Sequence, residues 1–302
     1  MLRGSEGAVV SRFAPSPTGY LHLGHVRSAL EGWRAARAAG GQFLLRLEDI
    51  DRTRCRDEFA DAIVEDLGWL GIDWDGPIRR QSEHLADYRA ALEQLDAAGV
   101  LYPCFCTRRD IQAEIERAGG APQGELGPTY PGICRSLGAA ERAERLVTSA
   151  SYALRLDVAA ALERTGPLTW SEGGLRVDAD PLALGDVVLA RKEMPTSYHL
   201  AVTVDDALQG VTLLTRGLDL FAATHIHRLL QALLGLPTPA HRHHALLTDA
   251  QGRRLAKRDK AATVRGMRQA GMTPEQILLA ARQPQNRIPG ESRDPFVGVQ
   301  NG

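Results

Sequence analysis

The chain has 302 residues, 44% of them hydrophobic and 24% charged, and a formal net charge of −1. This supports a sizeable core and roughly two domains, and it excludes a uniformly basic nucleic-acid coat while leaving room for local basic patches. No apolar run approaches the roughly 20 residues needed to span a bilayer, the opening MLRGSEGAVVSRF has no apolar h-region, and four cysteines are too few for a disulfide scaffold at this length, so a cytoplasmic protein with reduced thiols or a metal site and no membrane partner is expected.

In chain order, residues 9–13 read as a short strand. A turn rich in Pro, Ser, Thr and Gly follows, and 23–39 reads as a helix closed at Gly40–Gly41. A second, mostly apolar strand spans 42–47, and helices over 54–70 and 81–98 end at Gly71 and Gly99. Strand alternating with helix predicts a parallel sheet with crossover helices. The character changes after Leu101, where a cysteine-containing segment runs into a Gly/Pro-rich loop over 119–132. Strand-like pieces near 151–156, 174–177 and 186–190 look like a separate unit inserted into the sheet domain. Strand-like 200–204 and 211–215 and a helix over 222–234 resume that domain, and 235–241 reads as a linker. From about Pro284 the composition predicts a mobile tail.

The most informative stretch is 12–25, RFAPSPTGYLHLGH. Its turn leads from a strand into a helix N-terminus, where unpaired N–H groups and a positive dipole end can hold phosphate. His22 and His25, three residues apart on one face, can both donate to one phosphate, and Gly24 between them lets a flat ring approach the backbone. An HxxH pair alone is usually a surface or partly buried pair. In its context the run resembles the first signature of class I aminoacyl-tRNA synthetases, with Leu23 in place of Ile, and Ala14 to Gly19 is similar to the glutamyl branch. The resemblance covers roughly residues 8–280. It implies an α/β fold: a Rossmann-like parallel sheet domain in halves 1–100 and 186–240, an inserted α+β unit over 101–185, and a signature loop with a short helical part over 241–302. It also implies ATP as substrate, with Mg2+.

Three further stretches match. In LRLEDIDRTR (45–54), Glu48 takes the position that holds the substrate ammonium, and a carboxylate at the end of a parallel strand faces the ligand crevice. Asp49 and Asp51 equally suit a helix N-terminus. Around Tyr198 and Arg216 the resemblance implies an amino-acid pocket. Two arginines, Arg12 and Arg216, suit the two carboxylates of glutamate by bidentate pairing; Arg12 is expected on the side-chain carboxylate, and Arg216 is alternatively a salt-bridge partner of Asp205, Asp206 or Asp219. Ala14 and Ser16 complete the expected glutamate site. RRLAKR (253–258) resembles the second class I signature, with Lys257 expected on the β- and γ-phosphates; Arg254, Ala256 and Arg258 depart from it, keeping charge but losing a hydroxyl.

Cys104, Cys106 and Cys134 offer three thiolates, which suit zinc but leave its fourth ligand unfilled, so plain thiols remain open on spacing alone. The resemblance implies one structural Zn2+, with Tyr130 as the fourth ligand. Cys55 reads as an ordinary thiol. Full glutamyl-tRNA synthetases continue into an anticodon-binding domain, whereas this sequence runs only about 45 residues past Lys257. It therefore resembles the glutamyl-Q tRNA(Asp) synthetases, which implies a monomeric ligase that activates L-glutamate without tRNA and transfers it to queuosine in tRNA(Asp). The basic residues near Arg52 and Arg253 are candidate phosphate contacts. A minimal glutamyl-tRNA synthetase and a non-catalytic tRNA-binding relative are the alternatives.

Overall fold

The computed structural model describes residues 8–117, 123–124, 127–149, 151–191, 194–247 and 263–282. The expected tail and the signature loop, with Arg253, Arg254, Ala256, Lys257 and Arg258, lie outside these residues. Strand β1 (Val10–Phe13) runs parallel to β2 (Gln42–Leu47), with Val10 opposite Gln42 and Phe13 opposite Leu45. The crossover is α1 (Leu23–Ala38), whose buried residues Val26, Ala29, Leu30, Gly32 and Ala36 follow the helical repeat. Gly32 lets this helix lie close on the sheet, since a Cβ there would stand 2.9 Å from Thr215 Oγ1. The chain leaves α1 through Gly40 at φ 62°, a conformation that favours glycine.

Helix α2 (Asp57–Trp69) leads to β3 (Arg79–Arg80), parallel to β2. A 3₁₀ turn (Gln81–Glu83) then precedes α3 (Leu85–Ala97). A second, antiparallel sheet follows, with β4 (Leu101–Cys104) beside β7 (Ala153–Leu156) and β7 beside β10 (Val188–Arg191). Between β4 and β7 come α4 (Arg108–Arg117), the short pair β5 (Gln123–Gly124) and β6 (Gly127–Pro128), and α5 (Ala139–Thr148). Helix α6 (Val158–Thr165) then leads to the hairpin β8 (Thr169–Glu172) and β9 (Leu175–Asp178). This hairpin joins the main sheet: β8 pairs with β12 (Ala240–His244) at His241 opposite Glu172, and β12 runs parallel to β11 (Leu213–Gly217). Thr212 ties this half to β1, its N–H donating to the Val10 carbonyl at 2.8 Å. Strand pairing thus cuts across the expected unit boundary at 185: β8 and β9 enter the main sheet, while β10 enters the other.

Two expectations are corrected. Residues 200–204 are helix α7 (Tyr198–Leu208), not strand. Every residue from Leu200 to Asp206 is buried, so neither helical nor strand periodicity shows, and a fully buried apolar run is ambiguous from periodicity alone. Ser197 decides it, its hydroxyl capping the helix at Leu200 N. The linker 235–241 gives way at Ala240 to strand β12, hidden because its sequence is AHRHH. Helix α8 (Phe221–Leu233) falls close to expectation. Helices α9 (Val264–Gln269) and α10 (Pro274–Arg282) bring Val264, Met267, Ile277 and Ala281 into the core around α1 and α2. Among the described residues no helix is long and apolar enough to cross a membrane.

Under the sheet ends lies a buried ion cluster. Asp205 accepts from Arg79 Nε, Gln81 Nε2 and the Tyr88 hydroxyl, each at 2.8 Å. Asp206 takes Arg46 Nη1 at 2.9 Å and Arg12 Nε at 3.1 Å. Arg79 also ion-pairs with Asp87, its Nη2 2.7 Å from Asp87 Oδ2. Removing one partner of a buried ion pair strands the other charge. Asp205→Ala is therefore expected to lower the unfolding free energy by about 3–5 kcal/mol in urea titrations, and a loss below about 1 kcal/mol, the value of an exposed pair, would contradict the cluster's structural role.

Candidate active site

His22 is the N-cap of α1. Its Nδ1 accepts from Gly24 N at 3.1 Å, while His25 Nδ1 accepts from His22 N at 3.2 Å, a reciprocal cap built from two imidazoles. The rings stack with centroids 3.7 Å apart. Because each Nδ1 is an acceptor, each neutral ring carries its proton on Nε2. The helix N-terminus thus presents two Nε2–H donors as well as its dipole. Gly24 has a second reason to be glycine: a Cβ there would stand 3.0 Å from His22 Cε1.

A cleft of about 610 Å3 opens at this helix end. Arg12, Ala14 and Ser16 reach it from the end of β1 and the turn after it, His22, Gly24 and His25 from α1, Glu48 from the end of β2, Tyr198 from α7, and Arg216 from β11. Every sequence-predicted nucleotide or amino-acid residue within the described residues therefore lines one cavity. Leu247 lines it too, and Thr263 forms a bridge to His22; these flank the segment that carries Lys257.

The two arginines differ in their surroundings. Arg12 already has a carboxylate, with Nε and Nη2 on Asp206 at 3.1 and 3.4 Å. Arg216, expected as an alternative to pair with Asp205, Asp206 or Asp219, instead meets Tyr198, Thr224, His227, His241 and His243. Burial pushes the Arg216 guanidinium below its ordinary value. Glu48 is pushed up by burial, against the pull of Arg46 at 3.4 Å and of Arg12. Sequence reasoning missed Arg46, which is wholly buried, and the histidines around Arg216. One signal was available: six of the nine histidines fall between 199 and 244, too dense for solvated surface.

The cysteines converge as well. Cys104, Cys106 and Cys134 place their sulfurs within 4.8 Å of one another, with Cys106 and Cys134 3.4 Å apart. The Tyr130 hydroxyl stands 3.3 Å from Cys104 Sγ and 3.6 Å from Cys106 Sγ. The edges of a zinc–thiolate tetrahedron measure about 3.8 Å for bonds near 2.3 Å, so the four donors fit one Zn2+. Cys106 is pushed up to about 12, first by burial. Cys104 is lowered although burial opposes it, because Tyr130 and Arg155 hydrogen-bond to it. Cys55, early in the chain and half-buried, stands apart from the trio.

A parallel sheet with a histidine-capped helix after its first strand, a carboxylate at the next strand end and basic residues across the cleft defines a class I aminoacyl-tRNA synthetase catalytic domain. Residues 8–283 match the family described as tRNA synthetases class I (E and Q), catalytic domain, and the chain belongs to it. It is 51% identical over 273 residues to the Glutamyl-Q tRNA(Asp) synthetase of Rhodobacter capsulatus, covering 89% of this chain and 98% of that protein. It is 43% identical to the protein of that name from Nocardia farcinica, covering 96% and 93%. The crystal structure of a glutamate tRNA ligase from Elizabethkingia meningosepticum in complex with its amino acid superposes with a TM-score of 0.70 at 30% identity. The match covers 84% of this chain and 52% of that one, so the chain spans about half the length of the solved enzyme.

Burial and the Arg216 charge push His199 down to about 4. The unfolded chain, with ordinary histidines near 6.5, then binds more protons than the folded one. This histidine's contribution to stability is complete above about pH 6.5 and falls as pH drops toward 4. Histidine NMR titration of the free protein is expected to place His199 near 4, and a midpoint near 6.5 would show the ring to be solvated.

Proposed function

We propose that the chain activates L-glutamate with ATP to glutamyl-adenylate and transfers the glutamyl group to queuosine in the anticodon of tRNA(Asp). One observation carries the glutamate half: the cleft joins a buried arginine that has no carboxylate partner among the described residues, a carboxylate at a strand end and a pair of Nε2–H donors. The queuosine half rests on the relatives that bear that name over nearly their whole length.

In this reading the substrate spans the cleft. Glu48 takes the ammonium. The side-chain carboxylate goes to Arg216 and Tyr198 rather than to Arg12, because Arg12 is already neutralised by Asp206. The α-carboxylate is thereby turned toward the nucleotide, with Ala14 and Ser16 along the intervening wall. Holding nucleophile and electrophile at reacting distance is itself a large part of the catalysis. His22 and His25 donate from Nε2 to the α-phosphate oxygens as charge builds there during in-line attack, and Gly24 leaves the nucleotide's flat ring access to the backbone. Lys257 is assigned to the leaving pyrophosphate on the resemblance of its segment, supported by the positions of Leu247 and Thr263 at the cleft. Mg2+ arrives with the triphosphate. In the second step a queuosine hydroxyl attacks the activated carbonyl and releases AMP.

The unit over 101–185 is assigned to holding the RNA. A second cleft of about 340 Å3 is lined by Arg52, Arg56 and Arg80 together with Asp49, Asp57 and Glu83, and Arg52 and Arg56 are its candidate phosphate contacts. Cys104, Cys106, Tyr130 and Cys134 would hold one structural Zn2+, which supplies a cross-link between β4 and the loop before α5. The reaction is placed in the cytoplasm, with the tRNA.

Glutamate-dependent ATP–pyrophosphate exchange is expected without tRNA, and transfer of labelled glutamate is expected only to tRNA(Asp) that carries queuosine. Exchange followed by charging of tRNA(Glu) would favour a minimal glutamyl-tRNA synthetase, and absence of exchange would favour a binding protein. Metal analysis is expected to find one zinc per chain, and Cys134→Ser to lower both zinc content and Tm; full stability in a zinc-free protein would leave the four donors as ordinary thiols and phenol.

A further inference from the structure

Arg216 is 4% exposed at the end of β11, and neutral groups meet all of its nitrogens. Nε donates to His243 Nε2 at 3.2 Å. Nη1 donates to His227 Nδ1 at 3.2 Å and to the Tyr198 hydroxyl at 3.5 Å. Nη2 donates to Thr224 Oγ1 at 2.7 Å and to His241 Nδ1 at 3.4 Å. Among the described residues no carboxylate comes within 4.0 Å of it, whereas Arg12, which lines the same cleft, and the wholly buried Arg46 both have one.

The partners behind these histidines fix which nitrogen carries the proton. Glu172 Oε2 stands 2.7 Å from His243 Nδ1, and Glu172 Oε1 accepts from the His243 backbone N–H at 2.7 Å. Hydrogen bonds from His243 hold Glu172 below its ordinary value although burial opposes them. An ionised carboxylate only accepts, so His243 Nδ1 carries the proton and Nε2 turns its lone pair to Arg216. His227, having given its Nδ1 lone pair to Arg216, carries its proton on Nε2 and donates it to His199 Nδ1 at 3.2 Å. Burial, then the nearby Arg216 charge, keeps His227 well below its ordinary value and His241 down to about 2. Both therefore stay neutral acceptors.

We propose that His227, His241 and His243, the last oriented by Glu172, are positioning residues that hold Arg216 through neutral acceptors so that its charge is left for the side-chain carboxylate of glutamate. This deepens the reading of Arg216 as the glutamate anchor and rests on it. A carboxylate in any of these positions would hold the guanidinium more tightly through a charge-assisted bond, but it would cancel the charge that distinguishes glutamate from glutamine. A buried cation without a counterion is costly in the empty protein. Glutamate relieves that cost and the neutral amide of glutamine does not, so discrimination arises from a charge kept waiting in the pocket.

The test uses two variants of one shape. His227→Asn places an amide oxygen near the Nδ1 position as a neutral acceptor, and His227→Asp places a carboxylate there. Exchange kinetics are measured for glutamate, glutamine and ATP, with folding of each variant checked by circular dichroism. H227N is expected to raise KM for glutamate about threefold, and H227D at least roughly tenfold beyond that, with KM for ATP unchanged and the glutamate-over-glutamine ratio of kcat/KM falling about tenfold or more. Equal losses in the two variants, or a loss confined to kcat, would overturn the proposal, since a merely packing role does not read charge. If H227D does not fold, Thr224→Asp, which brings a carboxylate to Nη2 from the same helix, carries the same expectation. Arg216→Gln separates the two levels: if it leaves KM for glutamate unchanged, the anchor reading itself fails, whereas a large loss there beside equal H227N and H227D removes only the positioning role.

Discussion

The site depends on a charge balance sealed beneath the sheet. Arg12, Arg46, Glu48, Asp205 and Asp206 are buried together, and the half-buried Arg79 reaches Asp205 from the edge of the group. Charges leave water at high cost, and close pairing offsets much of it. The cluster therefore ties β1, β2, β3 and α7 into one arrangement. It sets Glu48 at its strand end, and it occupies Arg12. Because these charges largely cancel one another, Arg216, buried at the cleft with no carboxylate partner among the described residues, carries the positive charge of that wall.

Histidine serves in two opposite ways around that cleft. At the start of α1, His22 and His25 spend their Nδ1 lone pairs on backbone N–H groups and so present Nε2 donors at the helix N-terminus, where the proposed reaction sets the nucleotide phosphate. Across the cleft His227, His241 and His243 present lone pairs to a cation and so act as acceptors. The same neutral ring performs both because one nitrogen's partner determines the role of the other. Neither role requires a charged imidazole, and burial beside Arg216 keeps the second group neutral.

The strand exchange gives the inserted region a connection to the amino-acid pocket. Residues 169–178 leave it to pair with β12 as a hairpin, and Glu172 on that hairpin reaches His243. The cysteine cluster sits at the other end of the same region, where Cys104, Cys134 and Tyr102 make a small core of their own. A region with so little apolar packing gains from a cross-link.

Much of this was legible in the chain itself. Local chemistry sufficed for RFAPSPTGYLHLGH, since the turn, the cap and the paired histidines lie within one short run whose geometry is set by neighbours in sequence. The early strand–helix alternation and the end of β2 at Glu48 were readable for the same reason, whereas spacing alone left the cysteines open between a metal site and plain thiols, and Tyr130 came only from the family resemblance. What failed were segments whose surroundings are supplied from far away. Residues 200–204 are helix because burial on every side erased the periodicity that separates helix from strand. AHRHH is a strand whose His241 and His243 are met by Glu172, Thr224 and Arg216 and whose His244 meets Ser28, all supplied from other elements. The sequence by itself thus determined the turn, helix start and histidine pair at one end of the cleft and the kinds of side chain available at the other. Only the tertiary structure decided that Asp206 neutralises Arg12 and leaves Arg216 charged, because a buried charge is balanced by whatever the fold packs within a few ångströms of it, and that choice is made between residues nearly two hundred positions apart.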